Sequence, residues 1–162
     1  VFNILQTLNL TGKKVICPLS YGDSAYRSFI IASGENSLGS SFSPLNEFMT
    51  LEQYNAVLLG CSVAIMGHYR QQAVTNIISL LWFGCKVYLS DKNPCYAYFK
   101  RIGIILFSIE AHLTKANLNW DQPLESSAIE KNKQILSSEL CHENSVKKLR
   151  ASLQNVFNTP AQ

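Results

Sequence analysis

The sequence predicts an α/β fold, an open doubly wound and mostly parallel sheet with helices on both faces, followed by two C-terminal helices. Short apolar runs alternate with helix-length segments along the chain, which is typical of such sheets. The stretch from Ser62 to Ser90 contains a complete βαβ unit, in which a helix closed by Gly84 separates two β-rich runs. A content of 47% hydrophobic and 15% charged residues fits a sheet that is covered on both faces.

Strands are predicted where short apolar runs end in polar turns. The run at residues 13–19 is expected to be buried, with Pro18 near its carboxyl end, where no ladder bond needs to be donated. A polar segment outside the helix is expected between Gly34 and Gly39, before the second strand. The predicted strands lie at residues 13–19, 43–45, 62–66, 85–90 and 104–107.

Helices are predicted from apolar spacing, caps and glycine stops. Asp23 or Ser24 caps the second helix, and Thr50 with Gln53 forms a capping box before the third. Pro94 occupies the favoured first position of a later helix. The predicted helices span about residues 1–8, 24–33, 51–59, 73–83, 94–103, 126–138 and 143–157, with an irregular stretch at 117–125.

Composition and motifs exclude several classes of protein. The five cysteines are scattered without paired spacing, so we expect reduced thiols and neither a disulfide scaffold nor a zinc site. A net charge of +3 is too small to indicate nucleic acid as a partner. The longest apolar segments fall short of the roughly 20 residues that span a bilayer. No glycine-rich dinucleotide fingerprint, Walker loop or nucleophile elbow is present, so no cofactor is predicted.

The candidate site is a polar turn at residues 67–72, which follows the first strand of the central βαβ unit. Ligands of parallel sheets bind at the carboxyl ends of strands, where free helix N–H groups favour anions. Gln71, Gln72 and Asn76, expected in the first turns of the central helix, would donate to a diphosphate or a sugar, and Arg70 would offset phosphate charge. His68 would act as a general acid or base or bind the sugar. Capping or a solvated surface explains the same residues without a ligand.

Two further turns are expected at the same edge of the sheet. Ser20, Tyr21 and Gly22 follow the first strand, where the hydroxyls could bind phosphate or sugar and the glycine permits close backbone approach. A tight turn explains this first group equally well. Glu47, Phe48 and Met49 follow the second strand, and a loop that precedes a capped helix explains them without a ligand. Asp91, Lys92 and Asn93, which follow the predicted strand at residues 85–90, are interpreted as a solvated turn.

Three segments together resemble a known enzyme family: residues 15–22, the Arg70-Gln71-Gln72 turn, and residues 84–89 with Asn93-Pro94. Over about residues 1–110 the chain resembles the C-terminal nucleotide-sugar-binding domain of GT-B glycosyltransferases. It is most similar to the transferases that use TDP-4-acetamido-4,6-dideoxygalactose and an undecaprenyl-linked glycolipid (4-alpha-L-fucosyltransferases, glycosyltransferase family 56). The chain departs from the common GT-B pattern because glutamines replace the acid before the central helix.

The resemblance implies the donor-binding half of a bacterial surface-polysaccharide enzyme that transfers a deoxyamino sugar from a TDP-sugar. Residues 1–125 would form the nucleotide-sugar domain, with its first strand upstream of Val1, and 126–162 a helical segment. An absent N-terminal domain would bind the lipid-linked acceptor, so the fragment alone would be inactive. Arg70 and His68 would be catalytic without a metal. Residues 47–49 would hold the base of the nucleotide. The whole protein would be cytoplasmic, with peripheral association to the inner membrane face.

Two alternatives stay open. A non-catalytic doubly wound module, regulatory or protein-binding, would bind no nucleotide. A flavodoxin-like cofactor binder is disfavoured because no hydroxyl-rich phosphate loop follows the first visible strand.

Overall fold

The computed structural model describes residues 1–141, 143, 144, 146, 147 and 150, and within them the chain is an α/β fold with parallel strands in two small open sheets. In the first sheet β1 (Val15–Pro18) pairs with β2 (Phe42–Leu45). In the second, β4 (Lys86–Leu89) lies between β3 (Val63–Met66) and β5 (Phe107–Ser108). The helices of this region are α1 (Phe2–Leu5), α2 (Ser24–Leu38), α3 (Leu51–Leu59), α4 (Val74–Trp82), α5 (Pro94–Arg101), α6 (Ile109–His112) and α7 (Ser126–Leu140).

The core lies on both faces of β4, whose four residues are all buried. Val87 and Leu89 pack into a cluster that also contains residues of α3, α4, α5 and α7. Tyr88, which points the opposite way because side chains alternate along a strand, packs with residues of α1 and α6. The central strand is therefore covered on both sides, as the apolar composition predicts.

The predicted helix caps are confirmed. The Asp23 side chain accepts a hydrogen bond from the Tyr26 N–H at the start of α2. Thr50 and Gln53 form the reciprocal capping box of α3, with hydrogen bonds of 3.3 and 2.9 Å. Asn93 caps α5, and Pro94 is its first residue. These signals are local, so the chain sequence alone specifies them.

The prediction of a buried strand at 13–19 is wrong. β1 is shorter, and its residues alternate between half-buried and exposed; Ile16 is 39% exposed. The physical reason is that β1 has a hydrogen-bonded neighbour on one side only, β2. The isoleucine and valine of this segment favour a strand, but they do not indicate whether the strand has a second neighbouring strand.

The prediction of a polar segment outside the helix between Gly34 and Gly39 is also wrong, because α2 continues through Gly34 to Leu38. Gly34 is buried, and a Cβ at this position would lie within 2.4 to 2.7 Å of three atoms of the Phe42 ring. Because Gly34 has no side chain, α2 and β2 approach each other closely at this point. From the sequence alone, a glycine at this position was taken to mark the end of the helix.

The last strand is displaced from its predicted position at 104–107 to Phe107–Ser108. The fully buried Asn132 of α7 explains the shift, because its side chain hydrogen-bonds both the N–H and the C=O of Ile105, at 2.7 and 3.0 Å. Those backbone groups are consequently occupied by α7. The short helix α6 was not predicted, and of the predicted helix 143–157, residues 145, 148, 149 and 151–157 lie outside the described residues.

Candidate functional site

The polar loops predicted as functional follow the carboxyl ends of the parallel strands. Residues 67–73 connect β3 to α4, and residues 90–93 connect β4 to α5 within the same sheet. Residues 19–23 and 46–50 follow β1 and β2 in the other sheet. Since the strands of each sheet are parallel, the loops of each group leave the same edge.

The 67–72 loop is held by Asn93, which is only 1% exposed. Its side-chain amide donates to the carbonyl oxygens of His68, at 2.9 Å, and Arg70, at 3.0 Å. Its oxygen accepts the Cys95 N–H at 2.8 Å. The interpretation of residues 91–93 as a solvated turn is therefore wrong for Asn93, although Asp91 and Lys92 are exposed. The Asn93-Pro94 sequence predicted the helix cap, but it did not predict that the Asn93 amide also binds the 67–72 loop.

Within this fixed loop, three side chains point into solvent. Arg70, Gln71 and Gln72 are exposed, and none of their side chains hydrogen-bonds or pairs with any other residue that the structure describes. His68 is half-buried, and its Nε2 lies 3.0 Å from the Gln72 carbonyl oxygen. Only a protonated ring nitrogen donates to a carbonyl, so in the neutral ring Nε2 carries the hydrogen and Nδ1 is the acceptor.

Gln71 and Gln72 were expected in the first turns of the central helix, but they precede it, because α4 begins at Val74. The reason is Ala73, whose left-handed φ of 51° breaks the helical geometry immediately before Val74. Ala73 provides no side-chain cap, and across the described chain the N–H groups of Val74 and Thr75 have no acceptor. These N–H groups face the loop, where an anion would be stabilised.

Asn76 does not stand free for a ligand, as the sequence suggested. It is half-buried, and its amide donates to the Tyr54 hydroxyl of α3 at 3.1 Å. Burial raises the pKa of Tyr54, and the nearby Cys61 and Tyr21 raise it further. Tyr54, which the sequence analysis did not identify, thereby lies between the α4 side of the site and the loop after β1.

The loops after β1 and β2 meet through an aromatic pair. The rings of Tyr21 and Phe48 pack edge to face with centroids 4.8 Å apart, although the residues are 80% and 70% exposed. Gly22 adopts a φ of 102°, which favours glycine. Glu47 and Met49 are exposed beside Phe48, and Ser20 is half-buried. The structure therefore brings the two predicted turns together.

The Glu110 carboxylate joins the loop after β4 to the junction of β5 and α6. It accepts hydrogen bonds from the Ser90 hydroxyl at 2.6 Å, the Asp91 N–H at 3.0 Å and the Ser108 hydroxyl at 3.2 Å. Desolvation raises the pKa of Glu110, but these hydrogen bonds together outweigh it, so the pKa lies below its ordinary value. The ionised carboxylate is the form that accepts all three.

We expect the protein to lose stability as the pH falls through the depressed pKa of Glu110. A carboxyl whose pKa is lower in the folded chain stabilises the fold above its unfolded pKa of 4.5, and this contribution disappears in acid. Urea unfolding midpoints measured between pH 7 and pH 3 should fall less in Glu110→Gln than in the wild type. Equal slopes in the two proteins would contradict the role given to Glu110.

A surface cavity of about 660 Å³ lies at the opposite end of α4 from the 67–72 loop. It contains no residue from the carboxyl end of a strand, and the loops at the sheet edge remain the better candidate. Its lining residues are Trp82, Glu130, Lys133, Gln134, Ser137 and Ser138.

In the described residues no group of three or more His, Cys, Asp or Glu side chains is placed to hold a metal ion. None of the described helices has both the length and the apolar character that crossing a bilayer demands. Comparison of the sequence with protein-family models and with curated proteins gives no match.

Proposed function

We propose that the chain is the donor-nucleotide half of a glycosyltransferase that transfers a deoxyamino sugar from a TDP-sugar. Its two sheets would belong to one doubly wound, Rossmann-like domain of the GT-B type. The observation that carries the proposal is the 67–72 loop, which presents Arg70, Gln71 and Gln72 without protein partners beside unpaired α4 N–H groups. A planar guanidinium and two carboxamides suit the oxygens of a diphosphate.

In the proposed mechanism these groups stabilise the nucleoside diphosphate as it leaves the sugar. The start of α4 supplies roughly half a positive charge, and Arg70 supplies a full charge. Negative charge grows on the diphosphate during transfer, so both contributions are larger in the transition state than in the ground state. No metal ion is needed for this step.

His68 is the residue placed to move a proton or bind the sugar. Its Nε2 hydrogen bond to the Gln72 carbonyl orients the ring and leaves Nδ1 as an acceptor. A sugar hydroxyl or an acceptor hydroxyl within hydrogen-bond reach of Nδ1 would donate to it.

The nucleobase would bind at the turns after β1 and β2. Tyr21 and Phe48 offer exposed ring faces, and a base gains free energy by stacking on such rings. Ser20, the backbone at Gly22, Glu47 and Met49 surround this pair and would contact the ribose and the base edge. Tyr54 would join this region to the diphosphate region through Asn76.

The rest of the enzyme follows from the same proposal. A further N-terminal domain would bind a lipid-linked glycan acceptor, and the whole protein would work in the cytoplasm, with peripheral attachment to the inner face of the membrane. The isolated chain would bind nucleotide without turnover. The product would be a component of a bacterial surface polysaccharide.

Calorimetric titration with TDP, UDP and GDP tests the proposal. We expect TDP to bind most tightly, and Arg70→Ala to weaken its binding by about 10- to 100-fold, the effect of losing a charged hydrogen bond of about 1.5–3 kcal/mol. Arg101→Ala is the matched control, because Arg101 ends α5 about 12 Å along the helix from the Asn93 cap.

Three results would count against the proposal. Equal TDP affinity in Arg70→Ala and the wild type would remove Arg70 from the site. Equal losses in Arg70→Ala and Arg101→Ala would indicate a general charge effect. Flat titrations with every nucleotide would favour a non-catalytic interaction module.

A further inference from the structure

An exposed tyrosine lies in the middle of the 67–72 loop and takes no part in the core. Tyr69 is 61% exposed, and it belongs to neither of the two apolar clusters on the faces of β4. A single exposed tyrosine is ordinary on a protein surface. Tyr69 differs from such a residue because the structure holds its backbone and its ring in place.

The backbone on both sides of Tyr69 is fixed by one buried amide. The Asn93 side chain donates to the carbonyl oxygens of His68, at 2.9 Å, and Arg70, at 3.0 Å. These two residues directly precede and follow Tyr69. Because Asn93 is only 1% exposed, both hydrogen bonds are shielded from water. The side chain of Tyr69 therefore projects from a backbone that is already ordered.

The ring of Tyr69 is oriented by a cation from the neighbouring loop. The Lys92 ammonium lies over the ring, 5.5 Å from its centroid, which is a cation–π contact. The backbone of Lys92 is held as well, because its N–H donates to the Ser90 hydroxyl at 3.3 Å. This hydroxyl in turn donates to the Glu110 carboxylate at 2.6 Å. With the ammonium over one face and most of the residue exposed, the opposite face of the ring is open to a ligand.

We propose that the sugar ring of the donor stacks on Tyr69, and that Lys92 is a positioning residue for this contact. This role rests on the proposed function, because it assigns the part of the same site that the sugar occupies. The ligand is a 6-deoxyhexose, whose methyl group and C–H bonds together form an apolar face. Packing that face on an aromatic ring removes apolar surface from water, which is favourable.

The position of Tyr69 in the site agrees with this role. The nucleobase would lie at the loops after β1 and β2, and the diphosphate would lie at the start of α4. Asn76 connects α4 to the nucleobase side through its hydrogen bond to Tyr54. Lys92 belongs to the loop after β4, the strand that pairs with β3. The sugar is attached to the diphosphate at the end opposite the nucleoside, so it would extend toward Lys92 and Tyr69.

The ordered state of Tyr69 makes the stacking contact more favourable and more selective. A mobile exposed tyrosine would lose conformational freedom when a ligand binds, whereas Tyr69 has already lost most of it on folding. A hexose with a hydroxyl at C6 would place a polar group against the ring, where the hydroxyl loses its contact with water. We therefore expect the site to prefer 6-deoxy sugars to their 6-hydroxy counterparts.

Calorimetric titration with TDP and with TDP-4-acetamido-4,6-dideoxygalactose separates the sugar contact from the diphosphate contact. We expect the nucleotide sugar to bind the wild type about 2- to 10-fold more tightly than TDP, the effect of one aromatic contact. Tyr69→Ala should abolish this difference without changing the affinity for TDP. Tyr69→Phe should keep the difference, because phenylalanine retains the ring. Lys92→Met should reduce it, because methionine keeps an unbranched side chain and lacks the charge.

Tyr98→Ala is the matched control for Tyr69→Ala. The Arg101 guanidinium lies over the Tyr98 ring, 5.5 Å from its centroid, but Tyr98 belongs to α5 and not to the 67–72 loop. The control should leave both affinities unchanged. A difference between the two ligands that persists in Tyr69→Ala, or that Tyr98→Ala removes equally, would overturn the proposal. Equal weakening of both ligands by Tyr69→Ala would show that Tyr69 acts on the diphosphate contact, which also overturns it.

A free glycoside distinguishes failure of this proposal from failure of the proposed function. The probe is the methyl glycoside of 4-acetamido-4,6-dideoxygalactose, followed by NMR at millimolar concentrations with no nucleotide present. We expect its C6 methyl protons to move upfield over the aromatic ring in the wild type and in Tyr69→Phe, but not in Tyr69→Ala. This shift together with flat TDP titrations would support the role of Tyr69 and overturn the proposed function. Absence of the shift would overturn the role of Tyr69 whether or not TDP binds.

Discussion

Asn93→Ala is expected to lower the free energy of unfolding by about 2–4 kcal/mol and to weaken TDP binding. The substitution removes both donors to the His68 and Arg70 carbonyl oxygens and the acceptor for the Cys95 N–H. Because Asn93 is 1% exposed, water cannot easily replace these hydrogen bonds. The 67–72 loop loses its anchor, so the ordering of Arg70 must occur when nucleotide binds. Urea unfolding and calorimetry measure the two effects.

Asn93→Ser is the matched variant, because serine keeps a capping oxygen for α5 and lacks the amide donors. It should recover about 1 kcal/mol of the lost stability, the usual contribution of a helix cap, without recovering TDP affinity. Full recovery of binding by serine, or unchanged unfolding of Asn93→Ala, would show that the loop does not depend on the amide.

Tyr88→Ala is expected to destabilise the fold by about 3–5 kcal/mol, the largest loss of stability predicted here. Tyr88 is fully buried in the central strand, and its hydroxyl donates to the Trp120 carbonyl oxygen at 2.8 Å. Burial, with a smaller contribution from Asp121, raises the pKa of Tyr88 to about 12, so the hydroxyl stays protonated and able to donate at neutral pH. Thermal and urea unfolding measure the change.

Tyr88→Phe separates the hydroxyl from the ring. It should lose about 1–3 kcal/mol, because the buried Trp120 carbonyl is left unpaired while the ring packing stays. Tyr26→Ala is the exposed control and should change stability by less than about 1 kcal/mol, since Tyr26 is 63% exposed. A loss in Tyr88→Ala no greater than in Tyr26→Ala would contradict the core assignment.

Much of the fold is predictable from local sequence because caps and apolar runs act over a few residues. The Thr50–Gln53 box, the Asn93–Pro94 start of α5 and the strands β2, β3 and β4 were all predicted near their observed positions. The errors depend on partners distant in sequence. Gly34 lies inside a helix because Phe42 packs against it, and β5 is displaced because Asn132 occupies the backbone of Ile105.

The candidate site shows the same division. The positions of the 67–72 loop and of Tyr21 and Phe48 at strand ends follow from strand order, which the sequence predicts. Strand order does not predict that the Asn93 amide binds two carbonyl oxygens that are 23 and 25 residues away. It also does not predict the hydrogen bond between Asn76 and Tyr54, which are 22 residues apart. Such contacts depend on packing that a single sequence does not display.

A crystal of the protein soaked with TDP tests the proposed nucleotide site most directly. We expect a diphosphate against the N–H groups of Val74 and Thr75, with the Arg70 guanidinium in contact with its oxygens. A nucleotide bound elsewhere, or Arg70, Gln71 and Gln72 directed away from the diphosphate, would contradict this site.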